Sequence, residues 1–98
     1  MAAYVIAEVE ITDQETYAKY REAANPTFKE FGGEFLATNM RSRTETLEGE
    51  PPKRIAIVKF DSMDAARRWY NSPGYTKAKE FRHRAAKSRL ILVEGSHP

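Results

Sequence analysis

The sequence predicts an α+β fold of the ferredoxin-like type, in which a four-stranded antiparallel sheet carries its helices on one face. The predicted elements follow in the order β-α-β-β-α-α-β, and three strand candidates, at 4–11, 54–60 and 89–94, are apolar on both sides. A strand that is apolar on both sides belongs in a sheet that is covered on both faces. Because the helices are too few to cover both, we expect a homodimer in which the open sheet faces of two chains pack together into a barrel.

The composition is typical of one globular domain over residues 1–98, with 41% apolar and 11% aromatic residues. The chain has no cysteine, which excludes a disulfide framework, a thiolate nucleophile and a cysteine-based metal site. The first residues lack the basic and apolar regions of a signal peptide. No apolar run approaches the ~18 residues that span a bilayer. We therefore expect a cytoplasmic protein with no membrane partner.

The segment after the first strand predicts a helix. Its Thr-Asp-Gln-Glu sequence indicates a capping box, in which the Thr12 hydroxyl and the Glu15 side chain bond amides at the helix start. Aromatic and small residues then recur at helical spacing, and the glycine pair 32–33 supplies a helix end. Pro26 lies inside this pattern, so we expect a kink or a restart there.

The middle of the chain predicts two strands joined by a polar connection. Residues 34–38 form the second strand, and we expect pairing to resume near Thr46 and Leu47 after a bulge or turn. The loop residues of 48–52, which include a glycine and a proline pair, then close a hairpin into the third strand at 54–60.

The last part of the chain predicts two helices and a strand. Ser62 is a suitable cap for a helix that ends at the Asn-Ser-Pro-Gly break of 71–74. A third helix is expected from about residue 75 to residue 87, and a strand from 89 to 94 completes the sheet.

Several segments also carry a family resemblance: 3–9 (AYVIAEV), 31–36 (FGGEFL), 47–49 (LEG), 60–62 (FDS), 69–75 (WYNSPGY) and 89–95 (RLILVEG). In these segments the chain resembles a small bacterial family known only as a domain of unknown function, number thirteen-thirty of its series, in the dimeric α/β-barrel superfamily. The resemblance implies the fold and a dimer, and it implies no reaction. Superfamily relatives include cofactor-independent monooxygenases, isomerases and haem enzymes, so the fold is compatible with several chemistries and selects none.

One loop departs from that resemblance. Family members often carry an arginine and glycines just after the second strand, where this chain has Ala-Thr-Asn-Met at 37–40. The departure argues against a pocket role for this loop.

Arg82 is the candidate ligand-binding residue with the clearest physical argument. Helical spacing places it on the inner side of the third helix, and a charge that points inward needs a partner or an anion. It either pairs with a strand carboxylate such as Glu8 or Glu10, or extends its charged end outward. The alternative is a guanidinium that binds a carboxylate or enolate ligand in a pocket between helices and sheet.

Aromatic residues surround the break between the second and third helices. Trp69, Tyr70 and Tyr75 are expected either in the core or as walls of a ligand site at this break, together with Arg82. His83 lies at the margin of the same stripe, as a surface residue or a general base. The sequence shows no nucleophile elbow, phosphate-binding loop or metal-ligand cluster, so we expect no metal and no cofactor, and the catalytic residues stay unknown.

These patterns predict a homodimer that binds a small organic molecule. One form of this hypothesis is a cofactor-independent enzyme that acts on an anionic or enolisable compound. The alternative is a non-catalytic dimeric binding or interaction module, and the sequence leaves open whether the protein is an enzyme. A third interpretation is that the cations of 77–89 bind an anion or a nucleic acid. Cations near a helix end fit the helix dipole, and exposed aromatics do not alternate with them, so a nucleic-acid partner is not expected.

Overall fold

The computed structural model describes residues 1–97. Along these residues the elements are β1 (Ala3–Ile11), α1 (Gln14–Glu30), β2 (Glu34–Thr38), β3 (Arg54–Phe60), α2 (Met63–Asn71), α3 (Pro73–Ala85) and β4 (Ala86–Glu94). The strands form one antiparallel sheet in the order β2-β3-β1-β4. This is the predicted ferredoxin-like arrangement, which is confirmed.

The two faces of the sheet are built by alternate residues of the same strands. Val5 and Val58 lie opposite each other, and both are buried in the core with the helices. Their neighbours Ile6 and Ile57 also lie opposite each other, on the other face, and Ile91 extends this row onto β4. None of these three isoleucines belongs to a core cluster of the described residues. The face turned away from the helices is therefore open and carries an apolar row across three strands.

Aromatic side chains fill one half of the core. The Trp69 ring lies 4.0 Å from the Tyr75 ring and 5.0 Å from the Phe28 ring, measured between centroids. The Trp69 Nε1 donates to the Thr27 hydroxyl at 3.1 Å, so its buried N–H is satisfied. Aromatic contacts of this kind hold α1 and α2 against the sheet.

The start of α1 differs from the prediction. Asp13, not Thr12, is the N-cap, and its carboxylate accepts from both the amide and the hydroxyl of Thr16. The Thr12 hydroxyl and amide instead donate to the carbonyl of Ala85 at the end of α3. The capping box was wrong because this long-range pair of hydrogen bonds takes the hydroxyl away from the helix start.

Pro26 does not interrupt α1, which runs unbroken from Gln14 to Glu30, so no restart occurs. Residues on both sides of the proline, Ala24, Thr27 and Phe28, are buried. Burial of a large apolar side chain stabilises by about 1.5–3 kcal/mol. Packing of this size offsets the ~3 kcal/mol cost of an interior proline.

Two further element boundaries differ from the prediction. Thr46 and Leu47 do not resume strand pairing, and Leu47 is 89% exposed. The polar connection has no apolar face to place against the core, so pairing ends at Thr38. The last strand begins at Ala86 instead of Arg89, because pairing with β1 continues to that residue.

Candidate functional site

A cavity of about 180 Å³ lies between α1, α3 and the helix-covered face of the sheet. It forms where the side chains are small. Ala7 of β1 and Ala56 of β3 lie opposite each other at the middle of this face, and both line the cavity with Ala24 of α1. The larger pair Val5 and Val58 supports the helix layer next to them. The two alanines, which lie between Thr38 of β2 and Leu90 of β4 in the same row, therefore leave a space beneath α1.

The two ends of the cavity differ in chemistry. At one end the lining side chains are apolar or aromatic: Val5, Phe28, Phe35, Val58 and Trp69. At the other end, Val9 has Arg54 opposite it on β3 and Ser88 opposite it on β4. Because these residues share one register row, Arg54 and Ser88 lie on the same face of the sheet. One end is thus a hydrophobic wall, and the other end carries positive charge.

Arg82 contributes the first of these charges. It is only 4% exposed, its Nη1 donates to the Ser88 hydroxyl, and its Cζ lies 5.7 Å from the centre of the Tyr20 ring. Its Nε is buried and has no hydrogen-bond partner within residues 1–97. A buried guanidinium N–H without an acceptor is unfavourable unless a bound ligand or an ordered water supplies one.

The predicted ion pair between Arg82 and a carboxylate of β1 is wrong. Glu8 and Glu10 alternate with the residues that face the helices, so they lie on the opposite face from Arg82. Glu8 pairs with Arg89 at 3.3 Å instead. No salt bridge to Arg82 occurs among the described residues.

Arg54 is a candidate binding residue that was not predicted from the sequence. Its Nη1 is also buried without a hydrogen-bond partner in the described part of the chain, and its Cζ lies 5.8 Å from the Tyr17 ring centre. The signal was present in the strand alternation. Ala56, Val58 and Phe60 face the helices, and the same period of two continued backwards reaches Arg54. A cation on the core face of a strand marks a candidate binding residue.

Three tyrosines complete the polar end. The hydroxyl oxygens of Tyr20 and Tyr75 lie 2.9 Å apart and share a hydrogen bond. Burial raises the pKa of Tyr17 and of Tyr75, and burial next to the Tyr75 hydroxyl raises the pKa of Tyr20 well above 10.0. The phenols therefore stay protonated at neutral pH and can donate hydrogen bonds.

The mouth of the cavity is formed by exposed residues of α1 and of the segment after β2, namely Asn25, Met40 and Arg41. Asn39 holds this segment in place: its Nδ2 donates to the carbonyl of Lys53 at 3.2 Å, and its Oδ1 accepts from the amide of Ile55 at 3.1 Å. The segment thus lines the cavity, contrary to the expectation from its departure from the family pattern.

The structure brings together three of the five candidate ligand-binding residues. Trp69, Tyr75 and Arg82 line the cavity, but Tyr70 and His83 do not. Tyr70 is 37% exposed, with the Lys79 Nζ at 3.7 Å from its ring centre, and His83 is exposed on α3. The cavity lies beneath α1 and not at the junction of α2 and α3, where the Ser72 side chain caps α3.

The cations of the 77–89 segment do not form one surface. Arg82 points inward, Lys79 lies on Tyr70, and Arg89 pairs with Glu8. Within residues 1–97, no group of three or more His, Asp or Glu side chains is placed to hold a metal ion. None of the helices described is both long and apolar enough to cross a membrane.

The sheet order and the single helix layer place the chain among the ferredoxin-like α+β proteins, and the cavity gives it an internal space of ligand size. Within this class, the chain belongs to the family described as Domain of unknown function (DUF1330), which matches residues 2–96. The resemblance found in the sequence is confirmed. No curated protein matches the chain.

Solved structures show the same fold at low sequence identity. A protein of unknown function from Rhodopseudomonas palustris is 23% identical, with a TM-score of 0.77 over 99% of this chain and 84% of that one. A dimeric ferredoxin-like protein of unknown function from Jannaschia sp. CCS1 is 9% identical, with a TM-score of 0.73 over 97% and 100%. SnoaB, a cofactor-independent oxygenase from Streptomyces nogalater, is 14% identical, with a TM-score of 0.61 over 99% and 95%.

Proposed function

We propose that this protein is a homodimer that binds a small organic anion in the cavity beneath α1. The observation that carries the proposal is a pair of arginines, the half-buried Arg54 and the buried Arg82, each with one buried guanidinium nitrogen that has no acceptor within residues 1–97. Leaving such a donor unsatisfied costs about 1–3 kcal/mol, and more when the group is charged. A bound anion would supply both acceptors and would balance the charge.

The lining favours an anion that is organic. Four arginines line the cavity, Arg21, Arg41, Arg54 and Arg82, and none of its described lining residues is an aspartate or glutamate. The opposite end is apolar, which suits a carbon skeleton better than an inorganic ion. The protonated tyrosines add hydrogen-bond donors and no negative charge.

The homodimer rests on the open face of the sheet. Ile6, Ile57 and Ile91 form a row across three strands, and the three helices pack on the other side. The similar protein from Jannaschia sp. is dimeric. A second copy of the sheet supplies an equally apolar surface of matching shape, so we infer a face-to-face pair.

Catalysis on an enolisable ligand is the second candidate. The phenols of Tyr20 and Tyr75 lie beside the Arg82 guanidinium, and such donors would stabilise an enolate oxygen. The fold shared with the oxygenase SnoaB is consistent with cofactor-free chemistry of this kind. No carboxylate or imidazole of the described chain lines the cavity to take up a proton, so we place binding first.

Thermal denaturation with a panel of anions of different shapes tests the proposal. Benzoate, hexanoate and succinate would be compared with benzamide, which has no charge. A ligand at about 100 times its dissociation constant adds ~2.7 kcal/mol of stability. We expect at least one anion to stabilise the protein and benzamide, at the same concentration, to stabilise it clearly less.

Variants of the two arginines complete the test. Arg54→Met and Arg82→Met should lose the stabilisation by anions. Arg67→Met is the matched control, because Arg67 forms an exposed pair with Asp64 on α2 and does not line the cavity. A protein that no anion stabilises, or one whose Arg54→Met and Arg82→Met variants respond like wild type, would refute the proposed function.

A further inference from the structure

Taking the proposed function as its basis, we infer that the ligand is a planar, single-ring carboxylate. The ring lies over the Ala7–Ala56 pair, and the carboxylate points toward Arg54 and Arg82. Three features of the cavity support this assignment: where its charges lie, what its floor is made of, and how large it is.

The register of the sheet fixes where the carboxylate binds. Val9 of β1 has Arg54 beside it on β3 and Ser88 beside it on β4. The Arg82 guanidinium donates a hydrogen bond to the Ser88 hydroxyl. Neighbouring strands are about 4.8 Å apart, so the backbones of Arg54 and Ser88 are separated by about 10 Å across β1. Arg54 and Arg82 both line the cavity. A carboxylate above Val9 can accept from both, one oxygen to each side.

The floor of the cavity favours a flat group. Ala7 and Ala56 present only methyl groups toward α1, and Ala24 faces them from the helix. The end wall is aromatic: the Phe28 ring lies 4.8 Å from the Phe35 ring and 5.0 Å from the Trp69 ring. Flat rings pack well against methyl surfaces and against the edges and faces of other rings. A flexible chain would lose rotational freedom in the same space.

The volume sets the number of rings. The cavity measures about 180 Å³. An apolar cavity of ~150 Å³ is known to hold one benzene molecule. One six-membered ring with its carboxylate therefore fills the enclosed space, and a fused second ring would extend into the mouth, away from the apolar floor and wall.

Calorimetric titration of wild-type protein with four probes tests the inference. Benzoate should bind, and benzamide should bind roughly tenfold to a hundredfold more weakly because it lacks the charge-assisted hydrogen bonds. Hexanoate keeps the charge but has a flexible chain, and 2-naphthoate adds a second ring; each should bind roughly tenfold more weakly than benzoate.

A substitution in the floor gives an independent measurement. Ala56→Leu should weaken benzoate binding by about tenfold or more because the added carbons occupy the ring position. Ala18→Leu is the matched control, since Ala18 is exposed on α1 and does not line the cavity. If the Ala56→Leu chain does not fold, the comparison of benzoate with 2-naphthoate decides the ring count in wild-type protein.

The outcomes separate this inference from the proposed function. If hexanoate or 2-naphthoate binds as tightly as benzoate and the binding is lost in Arg54→Met, the anion site stands and the single-ring assignment is wrong. If none of the anions binds, both are wrong. Benzoate binding that is unchanged in a folded Ala56→Leu variant also overturns the placement of the ring.

Discussion

Replacing Ile57 with aspartate should dissociate the proposed dimer while each chain keeps its fold. Ile57 is half-buried in the single chain and lies in the isoleucine row of the open face. Loss of its remaining apolar burial costs about 1 kcal/mol, and an unpaired carboxylate in the interface costs at least ~2 kcal/mol more. The dimer carries two copies, so the total is about 6 kcal/mol, or roughly a 10⁴-fold weaker association.

Sedimentation velocity at micromolar concentration measures this change, with circular dichroism as the check on folding. Val58→Asp is the control, because Val58 is the next residue along β3 and points into the core at 3% exposure. A carboxylate there should unfold the chain and not merely separate two folded ones. A wild-type protein that sediments as a folded monomer, or an Ile57→Asp variant that stays dimeric, would refute the reasoning.

Three other predictions concern the core and the cavity. Arg82→Met should leave the unliganded protein equally stable or more stable by about 1–4 kcal/mol in urea denaturation, since a buried charge without a salt bridge is replaced by an apolar chain; a clear loss of stability would show that Arg82 has a structural role in the core. The free energy of unfolding should fall as the pH rises past 10.0, the ordinary tyrosine pKa. Above that pH the tyrosines ionise in the unfolded chain, whereas burial keeps them protonated in the folded chain. Tyr20→Phe should reduce this alkaline loss, and an unchanged pH profile would contradict the buried phenol. Thr27→Val should lower the free energy of unfolding by about 1–3 kcal/mol because the Trp69 Nε1 loses its acceptor. Equal urea midpoints for this variant and the wild type would contradict that expectation.

Residue alternation was enough to predict that β3 carries apolar residues on both faces of the sheet. Which set faces the helices comes from the structure, where Val58 is buried and Ile57 lies on the open face. The same rule places Arg54 on the helix-covered face, one step before the apolar part of the strand. The face of Arg82 was also predictable from helical spacing, and the structure confirms that it points inward.

Other features depend on distances that a single sequence does not contain. The Asp13 cap depends on the hydrogen bond between Thr12 and Ala85, residues far apart in the chain. The cavity depends on the register that sets Ala7 opposite Ala56. One residue of slip would place a larger side chain opposite each alanine and would exchange the two faces of the strand. Register of this kind is fixed by the whole sheet, and local propensity does not encode it.

The alternation of β1 and β3 also bears on how this family can change over time. On each strand, one set of alternate residues lines the cavity and the other set lies on the open face, as Ala56 and Ile57 show. Point mutations at the alanines can therefore resize the cavity without touching the proposed dimer surface. A single inserted or deleted residue in either strand would interchange the two sets and damage both at once. Substitutions at these alanines can thus adapt the proposed site to ligands of other sizes, whereas changes in strand length would disrupt both faces of the sheet.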